Sequence, residues 1–169
     1  MGWLKQLDQG NWRGAVAQLI ANSKASRLFE RGKDYARKDQ RKRAISAFDE
    51  AIRLNPENAK CFWFRGYCYE EQGQFDRAIA DYSEAIRLDP NGDTNGIYGR
   101  GLLFGSRGKA YRRTGQFDAA VSDLNEAIRL ESENLQLLEE RMKIHEARGD
   151  HESARADQKK IETIKYGDY

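Results

Sequence analysis

Trp63 and Tyr67 stand four residues apart, one turn of an α-helix, so their rings share a face. Lys109, Arg112 and Arg113 repeat that spacing with three cations. Large rings beside fixed positive charge bind rather than catalyse, because the apolar contact supplies affinity and the charges orient the ligand. A second basic group, Lys33, Arg37, Lys38, Arg41, Lys42 and Arg43, could neutralise phosphates. Asp34 and Asp39 lie inside it, however, and a solvated turn is the plainer account.

Catalytic and metal chemistry finds no foothold. Gly99, Gly101 and Gly105 follow no strand, and their final spacing is one residue too long for a dinucleotide loop. Gly108-Lys109 is followed by Ala110, and Leu103 occupies the first glycine position of a phosphate loop. His145 and His151 are six apart across a helix-turn boundary and cannot share a face as metal ligands. Cys61 and Cys68, seven apart on one helix, would sit roughly 10 Å from each other. That exceeds the reach of a disulfide, so they read as small semi-buried thiols of a reducing compartment. The expectation is a protein that is not an enzyme and uses no cofactor or metal.

The elements that must position the binding residues repeat along the chain. Gly32, Tyr35, Ala44, Phe48, Ala51 and Pro56 return 34 positions later as Gly66, Tyr69, Ala78, Tyr82, Ala85 and Pro90. Gly108, Tyr111, Ala120, Leu124 and Ala127 follow after eight extra residues. Self-similarity at this period marks stacked helix pairs, each burying its apolar face only against its neighbours. Gly and Ala let helices approach closely, and the aromatic rings fill the space beside them. Gly73-Gln74-Phe75-Asp76 and Gly115-Gln116-Phe117-Asp118 read as turns within a pair, while Pro56 and Pro90 end the second helix of each pair. No stretch alternates with period two, so the fold is all-α.

These residues resemble the tetratricopeptide repeat family, and the resemblance covers most of the chain. It implies a right-handed solenoid of about four units, 25–58, 59–92, 101–134 and 135–169, with an insertion at 93–100. Leu28, Phe62, Phe104 and Leu138 take the first apolar slot. The family's Leu slot holds Arg31, Arg65, Arg107 and Arg141, which suggests an edge where the stem packs and the guanidinium reaches water. In this family the first helices line a concave groove that binds peptides. The corresponding positions are Phe29, Lys33 and Arg37; Lys60, Trp63, Phe64 and Tyr67; Lys109, Arg112 and Arg113; and Glu139, Lys143 and Glu146. Packing between units is the alternative for Trp63 and Phe64, since one of two adjacent residues on a helix must point toward the core. A branch that grips the carboxylates of chaperone tails needs Lys and Asn on the first inner helix, Asn on the second, and Lys and Arg on the third. Phe29 and Lys33, Phe64, then Leu102 and Ser106 stand there instead, so that clamp is absent.

The bulk properties and the ends complete the expectation. Net charge is +2, which makes no general case for nucleic acid or an anionic membrane. Residues 1–58 carry twelve basic and seven acidic side chains, and the remainder is net acidic. Gly10-Asn11-Trp12-Arg13-Gly14-Ala15 echoes the turn at Gly73, so 1–24 read as a capping helix or partial unit whose Trp12, Val16, Leu19 and Ile20 cover the open face of the unit holding Phe29 and Tyr35. Dimerisation or membrane-surface contact through Trp3, Leu4, Leu7 and Trp12 is the alternative. The signature slots of the last unit hold Met142, His145, Gln158 and Ile161, a polar drift that reads as a degenerate C-terminal cap. Met1-Gly2 opens like a myristoylation site, but Gln6 stands where Ser or Thr is wanted. With no leader and no long apolar run, a cytoplasmic scaffold binding a protein segment is the reading; RNA binding and self-assembly are the alternatives.

Overall fold

A computed structural model of the chain describes residues 12–90 and 99–167. These residues form eight α-helices and no strand: α1 Trp12–Arg37, α2 Arg41–Leu54, α3 Ala59–Glu70, α4 Phe75–Leu88, α5 Arg100–Arg113, α6 Phe117–Leu130, α7 Leu135–Ala147 and α8 His151–Tyr166. Each helix packs on the next, and α1, α3, α5 and α7 also touch in succession along one side. Three apolar clusters follow the axis, around Phe48, around Tyr82 and around Leu124 with Leu138. A local chain of cores is what stacked repeats produce.

The second helix of each of the first three pairs is amphipathic at helical spacing. It buries Ala44, Ala47, Phe48 and Ala51 in α2, then Ala78, Asp81, Tyr82 and Ala85 in α4, then Ala120, Asp123, Leu124 and Ala127 in α6. The facing glycine makes room for the large member: a Cβ on Gly66 would stand 2.9 Å from the Tyr82 ring. Asn58, Asn134 and Asp150 cap α3, α7 and α8 by accepting backbone N–H groups.

The turn inside each pair needs a left-handed residue. Gly73, Gly115 and Gly149 supply it at φ 71°, 76° and 73°, but the first pair uses Asp39 at φ 59°. A side chain there costs more than glycine does, and the ion pair of the exposed Asp39 with Arg41 returns little. Asp39→Gly should therefore raise unfolding free energy by about 0.5–1 kcal/mol, measured by urea titration. A loss would mean that the Arg41 contact outweighs the backbone strain.

Two expectations about positions are corrected. Residues 12–24 do not form a capping helix or partial unit of their own; they run straight into the first pair as part of the 26-residue α1. The physical reason is that no proline or glycine interrupts residues 15–31, whereas Pro56 ends α2. Trp12, Val16, Leu19 and Ile20 stand 50, 44, 69 and 64% exposed on this extension. The readings at Trp3, Leu4 and Leu7, and residues 93–98 of the expected insertion, lie outside the described residues.

The second correction concerns the arginines in the Leu slot. Three of them do not reach into water but are clamped to a buried aspartate sixteen residues on. Arg65 donates Nε and Nη2 to Asp81 at 2.8 and 2.7 Å, and Arg107 to Asp123 at 2.7 and 2.9 Å. Arg141 forms the same fork with Asp157. The third donor, Nη1, reaches back to the preceding unit: Asp49 at 2.6 Å from Arg65, Ser83 at 3.0 Å from Arg107, and Asn125 at 2.6 Å from Arg141. Each guanidinium thus ties its own helix pair together and staples it to the one before. Arg31 has Ala47 where the aspartate should be and lies exposed.

Cys61 and Cys68 are fully buried and free. Burial pushes their thiols up to about 12 and about 11, so little reactive thiolate exists near neutral pH.

Candidate functional site

The face formed by α1, α3, α5 and α7 carries an aromatic run that starts in the core and ends at solvent. Phe48 packs on Phe29 with ring centroids 6.0 Å apart, Phe29 on Phe64 at 5.3 Å, Phe64 edge-on to Trp63 at 4.6 Å, and Trp63 stacks on Tyr67 at 6.2 Å. Tyr67 is the outward end, 39% exposed. Phe29 is buried, Phe64 packs on the first cluster, and Trp63 on the second beside Ala78, Tyr82 and Ala110. Trp63 is therefore a half-buried support whose ring backs the exposed Tyr67. Lys33 lies over the Phe29 and Phe64 rings at 5.2 and 6.0 Å while pairing with Glu30 at 2.9 Å.

One helical turn beyond Tyr67, the end of α3 and the turn after it meet α5 and α7 in a cleft of about 450 Å³ lined by Glu70, Glu71, Phe75, Lys109, Arg112, Arg113 and Glu140. The expected cations gather here, but acids accompany them. Arg112 donates Nε to Glu140 at 2.8 Å, bridging α5 to α7. Arg113 lies over the Phe75 ring at 5.2 Å and is exposed. Burial opposes ionisation of Glu140, yet Lys143 and Arg112 hold its carboxyl below the ordinary range. Glu140 thus adds stability at neutral pH that is lost as pH falls through that lowered value. Burial raises Glu70 instead, although Tyr82 donates Oη to it at 2.6 Å and Lys109 and Arg113 pull it down. The cleft is a mixed-charge rim in which Arg112 is committed to Glu140, while Lys109 and Arg113 line it beside Glu70 and Glu71.

The remaining predicted residues spread along the same side. Lys60 is half-buried on the first turn of α3, and Arg37 is exposed and paired with Asp34 at 3.1 Å. At the far end, Glu139 meets Lys165 at 3.6 Å, Lys143 meets Glu140 at 3.0 Å, and Glu146 is exposed. The basic group of the first unit is likewise threaded with acids: besides Lys33 and Arg37, Arg41 binds Glu71 at 2.9 Å across to α3. Among the described residues there is no cluster that could hold a metal ion, and no helix is long and apolar enough to cross a membrane.

Sequential helix pairs, with their first helices forming one continuous face, define a helical-repeat solenoid. A family model described as the tetratricopeptide repeat matches residues 29–93 and 106–166, and the chain belongs to that family. No curated protein matches the sequence. Among solved structures, MamA from Desulfovibrio magneticus RS-1 superposes with a TM-score of 0.75 at 17% identity, over 83% of this chain and 75% of that one. The first TPR of Spaghetti (RPAP3), bound to the HSP90 peptide SRMEEVD, does so with a TM-score of 0.67 at 24% identity, over 76% and 95%. YrrB, a TPR protein with an unusual peptide-binding site, has a TM-score of 0.70 at 17% identity, over 81% and 66%. At these identities the likeness speaks for the fold.

Proposed function

We propose that the chain is a non-enzymatic interaction module that holds a segment of another protein on the face of α1, α3, α5 and α7. The observation that carries this is the outward end of the aromatic run, Tyr67 backed by Trp63, one helical turn before Glu70 and Glu71, which line the cleft that also holds Lys109 and Arg113. A large apolar side chain laid on Tyr67 gains burial against a rigid ring, and an acidic group next to it meets Lys109 or Arg113. Two structural neighbours, the first and second TPR domains of RPAP3, are bound to HSP90 and HSP70 peptides, which supports segment binding as a use of this fold. Phe29, Lys33, Phe64, Leu102 and Ser106 occupy the places of the chaperone-tail clamp, so the partner is of another kind. Selection from a displayed random-peptide library tests the reading: enrichment of segments with one large apolar residue close to Asp or Glu is expected. No enrichment, or preferential recovery of peptides ending in EEVD, would count against it.

A second reading rests on α1. Val16, Leu19 and Ile20 fall at helical spacing on the N-terminal extension and are exposed, which favours self-association through that stripe. If copies pair there, sedimentation equilibrium gives a dimer that Leu19→Glu with Ile20→Glu converts to monomer; a monomer at all concentrations removes the reading. RNA binding draws less support, since Lys33, Arg37 and Arg41 are already matched by carboxylates.

A further inference from the structure

The ladder of arginines contains its own control. In three units the guanidinium in the Leu slot receives a two-oxygen fork from the aspartate sixteen residues on and a third acceptor from the unit before. In the first unit, Ala47 replaces that aspartate. Among the described residues no carboxylate lies within ion-pair distance of Arg31, whose Nε instead reaches the hydroxyl of Tyr35 at 3.1 Å. Where the missing side chain would stand there is a recess of about 370 Å³ between α1 and α2, bounded by Leu28, Arg31, Tyr35, Arg43, Ser46, Ala47 and Glu50. Arg43 brings a second guanidinium to it: Arg31 and Arg43 lie 5.3 and 5.9 Å from the centre of the same Tyr35 ring. Glu50 on the wall is drawn towards Lys24 at 3.7 Å.

We infer that this recess is a receptor for a carboxylate that does not come from its own helix pair. The guanidinium fork matches the two oxygens of a carboxylate, as it does in the other three units. Ser46 and Tyr35 supply hydroxyls at the wall, Arg43 adds charge, and the small Ala47 leaves the volume open. The site lies between α1 and α2, built from residues distinct from Tyr67 and its cleft, so it stands or falls independently of the peptide-binding face. An acidic side chain of another polypeptide and a free small carboxylate share the chemistry.

The test follows the Arg31 and Arg43 Nε–H signals of ¹⁵N-labelled full-length protein during titration with glutarate, with a blocked alanine-rich helical peptide carrying a single Asp, and with inorganic phosphate, at constant ionic strength. Glutarate and the peptide are expected to move both signals along one saturable curve. Ala47→Asp, which supplies the carboxylate internally, should weaken either ligand at least tenfold, as should Arg31→Gln, whereas Tyr67→Ala should leave binding unchanged. Tighter binding of the peptide assigns the acid to a polypeptide, and tighter binding of glutarate assigns it to a free carboxylate. Shifts no larger than those caused by chloride, saturation by phosphate alone, or equal binding in Ala47→Asp and Arg31→Gln would overturn the inference.

Discussion

Asp123→Ala should be among the most destabilising single substitutions in the chain. It leaves the Arg107 guanidinium, 18% exposed, with Ser83 as its remaining side-chain acceptor. Removing one partner of a buried pair costs about 3–5 kcal/mol; the lower end, about 3, fits a pair that still touches solvent. In a chain of this size that lowers Tm by roughly 6–12 °C. Asp81→Ala should cost less, because Arg65 keeps the charged Asp49 at 2.6 Å. Replacing the whole pair, Arg107→Met with Asp123→Leu, should recover most of the loss, since no charge is then stranded. Urea unfolding followed by circular dichroism reads all three. A change below about 0.5 kcal/mol for Asp123→Ala, the range of ordinary surface substitutions, would show that the fork contributes geometry without stability.

The second large effect concerns binding. Tyr67→Ala removes the exposed end of the aromatic run and should cost about 2 kcal/mol or more in affinity for a selected segment, roughly thirtyfold, with little change in Tm. Trp63→Ala should weaken binding as well but also lower stability by about 3 kcal/mol, because its ring is packed on Ala78, Tyr82 and Ala110. Arg113→Glu should weaken binding in a salt-dependent way. Arg112→Glu should in addition place two acids together with Glu140 and loosen the junction of α5 with α7. Isothermal titration paired with melting curves separates these cases. Equal loss of Tm in Tyr67→Ala and Trp63→Ala would make both rings packing residues.

The helix pairs were legible because the Gly, Tyr, Ala and aromatic slots each answer to a steric need at one position, such as the room Gly66 leaves for Tyr82. Features that depend on pairs of residues were harder to read. Arg65, Arg107 and Arg141 taken singly resemble surface arginines; only their constant separation of sixteen from Asp81, Asp123 and Asp157 signals the forks, and the signal was present in the sequence. The acids that meet Lys109, Arg112 and Arg113 come from α3, the turn after it and α7, so no local pattern announces them. The repeat register puts Trp63 and Phe64 together on the groove face, with packing between units as the alternative; successive units offer two clusters, and each ring packs on a different one. At the N-terminus the echo of Gly10 to Ala15 suggested a turn-bounded helix, while the absence of a breaker from 15 to 31 decided for one long α1.

The most direct test of the groove as the binding surface is amide chemical-shift mapping of the ¹⁵N-labelled chain with a library-selected peptide. The largest changes are expected to cluster on α3 and α5 around Tyr67, Lys109 and Arg113, with α2, α4 and α6 quiet on their outer faces. Changes confined to those outer faces or to the exposed stripe of α1, with Tyr67 unmoved, would contradict the groove as the binding surface.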